Sequence, residues 1–215
     1  MPIDKRTESR AIAVISGDVV GSRALPDRQS LERAMKATTA RLNKLFYPAI
    51  MEPFAVTEGD CIEGAITDPA QAPLCISVLR ETLAPIQIRI GVGVGVGRVV
   101  PERDRDAFAL ARHGLQLVSR DGGLTRYVGL GEAGDVLLAA ICRLADPLIK
   151  ARTAKQWEAI AAYRSLGHQH DVAKHLGVTR QSVGDRLSAG HRRAVEEADV
   201  AIATYLSYTR WQRQN

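Results

Sequence analysis

The sequence predicts an α+β chain, with a mixed strand-and-helix unit first and helices alone after it. Three observations predict this. Short apolar runs of strand character, such as Ala11–Ser16 and Ile86–Val94, occur only in the first 130 residues. Stripes at helical spacing lie between them, as in Leu31, Met35, Thr38, Leu42 and Leu45. From Glu132 onward only helical stripes recur, punctuated by glycines and capping residues.

Taken in order, Ala11–Ser16 reads as a buried strand that Gly17-Asp18 ends, and the Leu31–Leu45 stripe is a helix that stops before Pro48. Phe54–Thr57 and Cys61–Ile66 read as two strands around a Glu58-Gly59-Asp60 turn. Asp68-Pro69 opens a helix to about Ala84, and Ile86–Val94 alternates as a strand does. The order β-α-β-β-α-β is the ferredoxin-like unit. Asp106–Ser119 adds a helix, and Arg120–Leu130 suggests a further hairpin around Asp121-Gly122-Gly123. Glu132–Ala151 is a helix with a kink at Asp146-Pro147. These readings divide the chain into an α+β unit over 1–130, a connecting helix over 131–150, and a helical unit over 151–215.

Composition narrows the classes. Of 215 residues 46% are hydrophobic, enough for a sizeable core, and no apolar run approaches the roughly 20 residues of a membrane span. The polar start, Met1–Arg10, has no secretory signal character, so a cytoplasmic protein without a membrane partner is expected. Cys61, Cys75 and Cys142 are odd in number and far apart, among apolar neighbours, which indicates neither a disulfide framework nor a zinc ribbon and reads as buried thiols. The net charge is +5, and residues 151–215 hold 10 Lys/Arg against 6 Asp/Glu. The excess therefore sits where a polyanion gains most from it.

The helical segment carries the most specific pattern. Thr153 caps a helix over Ala154–Ser165, which Gly167 ends. In Gln169–Ser188, Ala173 is small where two helices meet, Gly177 suits a sharp turn, and Val178, Val183 and Leu187 form an inner stripe. Thr179 is an N-cap for the second helix. This is the logic of a helix-turn-helix whose second helix enters the major groove of double-stranded DNA. Thr179, Arg180, Gln181, Gly184, Asp185 and Ser188 face outward, Arg180 suiting guanine and Gln181 adenine. Ser182, Arg186, Arg192 and Arg193 suit phosphates. Asp185 suits a cytosine amino group or an arginine. The histidines His168, His170, His175 and His191 read as exposed surface residues. A last stripe, Val195, Ala198, Ile202 and Leu206, covers a core or pairs two protomers, and a homodimer is expected because such readers bind as two-fold pairs.

In the first unit, Asp18 ends the first strand and Asp60 lies in the turn between the second and third. The first and third strands are neighbours in a βαββαβ sheet, so the two carboxylates converge at one end. Oxygen ligands beside glycine backbone are what Mg²⁺ with a nucleotide requires. Gly91–Gly97 alternates glycine with valine; it lacks the spacing of a phosphate loop and suits a close packing contact instead.

The segments Ile15–Arg23, Thr57–Asp60, Ile88–Gly93 and Asp106–Arg112 resemble those of the SatD family, whose members often carry a helix-turn-helix after the first domain. More distantly, they are similar to the catalytic domain of class III adenylyl cyclases. That resemblance implies a nucleotide cyclase-like fold, Asp18 and Asp60 as the metal pair, and Val19 lending a carbonyl. It implies Arg112 as the arginine facing a transition-state phosphate. Gly17, Gly21 and Ser22 complete the implied nucleotide site. Two positions depart: Phe108 stands where the cyclases have asparagine, and Phe54 or Ala55 where they have a base-selecting lysine. The expectation is therefore a DNA-binding regulator whose first domain senses a ligand or dimerises, without cyclase turnover. The alternative is a metal-dependent enzyme acting on nucleotides.

Overall fold

The computed structural model describes residues 11–22, 27–57, 60–95 and 106–212, with side chains to residue 208. The chain is α+β, with a five-stranded mixed sheet and eight α-helices among these residues. The strands are β1 (Ile12–Val19), β2 (Ile50–Val56), β3 (Cys61–Ile66), β4 (Ile88–Gly95) and β5 (Thr125–Val128). Their order across the sheet is β2-β3-β1-β4-β5. Each neighbouring pair among the first four is antiparallel, and β5 runs parallel to β4.

Alternation along the strands decides which helices cover which face. Ala13, Ile15 and Val19 of β1, Ile62 and Ile66 of β3, and Ile88, Ile90, Val92 and Val94 of β4 join the main core. Helices α1 (Arg28–Leu45) and α2 (Ala72–Leu83) close that face with Leu31, Met35, Leu42, Cys75 and Leu79. Asp27 caps α1 by accepting the Ser30 N–H at 2.8 Å. A short 3-10 turn, Pro69–Gln71, leads into α2 under an Asp68 cap. The opposite face turns Ile12, Val14 and Ala65 toward α3 (Ala107–Asp121), which answers with Ala107, Phe108 and Ala111.

Helix α3 lies directly on β4 because β4 has no side chains there. A Cβ at Gly91 would stand 2.1 Å from the Ala111 carbonyl oxygen, and one at Gly93 would stand 2.0 Å from that of Ala107. The alternating glycines thus serve a helix-on-strand contact.

Two local expectations need correction. The hairpin expected around Asp121-Gly122-Gly123 is the end of α3, where Gly122 takes φ +72, followed by a parallel strand. Parallel neighbours need a long crossover, and α3 supplies it between β4 and β5. Strand β2 begins at Ile50, earlier than Phe54, because the sheet edge tolerates Pro53 within a pairing that shifts register between Ile50 and Ala55.

Helix α4 (Glu132–Lys150) continues through Pro147 and brings Leu138 and Cys142 into the main core. The remaining helices are α5 (Ala154–Leu166), α6 (Gln169–Leu176), α7 (Arg180–Ala189) and α8 (Arg192–Gln212). The last stripe of the sequence packs inward: Ile202 and Leu206 enter the main core beside the sheet, and Val195 joins Leu124, Ile149 and Trp157. Polar ties reinforce this junction. Arg164 of α5 donates to both carboxylate oxygens of the buried Glu81, at 2.8 and 2.9 Å, and Ser77 donates to Asp199 of α8 at 2.7 Å. Below them the buried Arg80 donates to the Leu124 carbonyl and to Thr125 Oγ1, while Asp146 accepts from the N–H groups of Leu124 and Thr125.

Candidate functional sites

Helices α5, α6 and α7 share a small core of Ala159, Ile160, Val172, Ala173, Val183 and Leu187. Thr153 and Gln156 form a reciprocal cap at the start of α5, and Gly167 ends it at φ +76. Gly177 closes α6 at φ +64, a left-handed conformation that glycine adopts without strain, and the chain turns there into α7. The Ser182 N–H bonds Thr179 Oγ1 at 3.1 Å and so caps α7. The small Ala173, the turn glycine and the inner valine therefore occupy the positions their chemistry suggests.

This packing leaves Thr179, Arg180, Gln181, Asp185 and Ser188 exposed, with Ser182 and Gly184 half-buried. The other basic residues differ in freedom. Arg186 pairs with Glu158 at 3.4 Å and keeps only 19% of its side chain exposed. Arg192 pairs with Glu196 and lies 4.4 Å over the Tyr163 ring. Arg193 pairs with Glu197 at 2.8 Å and remains 88% exposed. Residues His168, His170, His175 and His191 are all exposed.

A second cluster lies at the sheet end. The strand register sets Asp18 opposite Cys61 on one side and Arg89 on the other. The Val19 N–H donates to the Asp60 carbonyl at 3.4 Å, which draws the turn toward β1. Ligand atoms of Asp18, Asp60 and Cys61 all fall within 4.8 Å of one another. Burial and then the neighbouring Asp60 charge raise the Asp18 carboxyl above its ordinary value, against Arg89 and the Cys61 thiol, which lower it. The thiol itself is pushed up to about 11, by burial first and then by the Asp18 and Asp60 charges. It is protonated near neutral pH and donates toward Asp18 Oδ1 at 3.8 Å.

Such a pair fits a hard divalent cation. A +2 charge relieves the mutual repulsion of Asp18 and Asp60, and Mg²⁺ characteristically takes one or two carboxylates and keeps several waters. The protonated thiol is no ligand for it. Cys61 was expected to be a buried structural thiol, yet it is half-buried beside the carboxylates, while Cys75 and Cys142 are buried. Its position directly after Asp60, on a strand antiparallel to β1, was the available signal.

The other nucleotide-site residues divide between the sheet faces. Ser22 and Asp60 line a cavity of about 620 Å³ with Arg28, Lys36 and Thr57 around a floor of Leu31, Met35 and Val56. Gly21 takes φ +69 with open space around it, whereas Gly17 is packed under Ile88 and the Val19 side chain is in the core. Arg112 stands on the α3 side, reaching Glu63 at 3.4 Å, and Glu63 shares a strand face with Cys61. Phe108 of α3 is buried against the sheet, and Phe54 packs over Gly64. Arg23, Glu58, Gly59, Gly97 and Pro101 lie outside the described residues.

Among the described residues no helix is long and apolar enough to cross a membrane. No curated protein matches the chain. A crystal structure described as a regulator of polyketide synthase expression from Bifidobacterium adolescentis is 13% identical, with a TM-score of 0.26, and the match covers 95% of this chain and 82% of that one. Residues 11–109, which hold Asp18, Asp60 and Cys61, match the model of the SatD family.

Proposed function

We propose that the chain is a cytoplasmic transcription regulator that binds double-stranded DNA through a helix-turn-helix formed by α6 and α7. The observation that carries this reading is the surface of α7. Its inner residues Val183 and Leu187 are buried, its Thr179 cap is made, and Arg180, Gln181 and Asp185 stand exposed around its first two turns. A capped helix presenting such donors is suited to the major groove. Arg180 and Gln181 would select bases, with Thr179 and Asp185 beside them, and Ser182, Arg186, Arg192 and Arg193 would address phosphates. The strand order β2-β3-β1-β4 is that expected of a ferredoxin-like, cyclase-like unit, with β5 added at one edge.

That first unit would serve as a sensing or pairing domain. Asp18 and Asp60 would hold Mg²⁺, and a nucleotide would lie along Gly17–Ser22 with Arg112 approaching from α3. The metal would supply charge neutralisation for phosphate. Cyclase turnover does not follow, because the buried rings of Phe108 and Phe54 replace the polar groups that such chemistry uses. A second reading, a nucleotide-converting enzyme with an accessory DNA reader, is favoured by the convergence of the Asp18 and Asp60 carboxylates.

Titration of fluorescent duplex DNA, with and without ATP or GTP and Mg²⁺, tests both readings. Salt-sensitive binding is expected, and a shift with nucleotide that disappears in Asp18→Asn supports the sensor. Nucleotide consumption lost in the same variant favours the enzyme. Absence of duplex binding at low salt overturns the DNA-reading proposal.

A further inference from the structure

Helix α8 was expected to cover a core or to pair two protomers, and its apolar stripe is spent inside the molecule: Val195, Ile202 and Leu206 are all buried. The large apolar side chains it leaves to solvent are Val200 and Tyr208, two turns apart. Helix α4 differs. One side of it, with Leu138, Cys142 and Ile149, is in the core, yet the opposite side is also apolar. Ala133, Val136, Leu137, Ala140, Leu144 and Pro147 form a continuous exposed apolar stripe, with the exposed Arg143 along one edge. Val136 is 62% exposed and Leu144 78%. A helix apolar on both sides is buried on both sides in a stable assembly.

We infer that the outer face of α4 pairs with the same face of a second copy of this chain, antiparallel across a two-fold axis at Ala140. The stripe is self-complementary about that residue. Reversal through Ala140 sets Val136 and Leu137 against Leu144 of the other copy, and Ala133 against Pro147. The small side chain falls at the crossing point, where two helices approach most closely.

Charge completes the match. Glu132 and Lys150 are both exposed, at opposite ends of α4 and about five helical turns apart, which places them on the same edge of the stripe, the Lys150 ammonium also donating to the Gly122 carbonyl of its own protomer. A two-fold axis perpendicular to the helices brings each Glu132 beside the other copy's Lys150, twice per dimer. An isologous contact of this kind closes after two copies. The pairing stands on the α4 surface alone, independent of what α7 reads.

The experiment is the solution mass of the full chain by sedimentation equilibrium over a range of concentrations, without DNA. The expected result is a dimer for the wild type. Leu144→Glu, with an unchanged circular dichroism spectrum, should raise the dissociation constant about a hundredfold or more, since the carboxylate would be buried among apolar groups in both copies. Glu132→Lys should weaken the dimer, and adding Lys150→Glu to it should restore the affinity. Ala140→Cys should give a disulfide-linked dimer on mild oxidation under conditions where the wild type does not. A wild type monomeric throughout, or a dimer indifferent to Leu144→Glu, overturns the inference. Should Leu144→Glu not fold, the absence of a cross-link through Ala140→Cys overturns it equally.

Discussion

Gly177 shows how closely one residue type can be tied to one conformation. Its φ of +64 lies in the left-handed region, where an added Cβ costs about 1–2 kcal/mol even with open space around it. Gly177→Ala should lower stability by about that amount in urea unfolding, and duplex affinity should fall with the disturbed angle between α6 and α7. The outward residues should separate by role. Arg180→Ala with Gln181→Ala should relax sequence preference by about 1–3 kcal/mol per lost base pair contact, read from competition between duplexes. Arg193→Ala should instead weaken all duplexes alike and reduce the salt slope by about one. Arg193 is the better probe of phosphate contact because Arg192 also stacks on Tyr163, so its removal mixes packing with charge. Unchanged preference and unchanged slope in these variants would refute the placement of α7. At this scale the sequence was highly legible, since a cap, a turn glycine and inner valines are local signals. The Asp18–Cys61 contact was less so, because it depends on a strand register that only pairing across the sheet establishes.

The contact between α3 and β4 belongs to the next scale, where two elements are legible only together. Alternating glycines in β4 were readable as a close approach, but which element approached was not. Its identity follows from the crossover to β5, a four-residue strand that the sequence suggested only as one arm of a hairpin. Adding one methyl at Gly93 places it 2.0 Å from the Ala107 carbonyl oxygen and 2.4 Å from the Ala111 N–H nitrogen, so backbone must move. Gly93→Ala should therefore cost about 3 kcal/mol or more, seen as a lower urea midpoint. Gly122→Ala, at a left-handed position with open space, should cost only the backbone strain. Equal small losses at both sites would mean that α3 is not seated on β4 as described. A shifted α3 would also move Arg112, whose partner Glu63 sits on the neighbouring strand face. The same variant thus connects packing to any ligand response of the acidic cluster.

At the scale of the whole molecule, the C-terminal helices are fastened to the sheet unit. Periodicity along the sequence marked α8 as amphipathic but could not say which core its apolar side would enter. That choice is made by non-local partners on α2, the Pro69–Gln71 turn before it, and α4. The polar half of the fastening gives a pH-dependent prediction. Asp199 of α8 accepts from Ser77 and faces Arg80, Arg152 and Arg164, whose charges lower its pKa, but its burial outweighs them and the carboxyl lies above the ordinary 3.8. A carboxyl that binds its proton more tightly when folded adds stability below the unfolded value, and that contribution is lost as pH rises through the folded one. Asp199→Asn keeps a hydrogen-bond acceptor for Ser77 and removes the titration. Urea unfolding across the acid range should show the wild type losing stability relative to Asp199→Asn as pH rises from about 3.8 through the raised folded value, then a constant difference above it. A difference independent of pH would mean that Asp199 titrates alike in the folded and unfolded chains. A pH-dependent difference would place this carboxyl's ionisation directly on the joint between α2 and α8, so that acidification tightens the attachment of the C-terminal helices to the sheet.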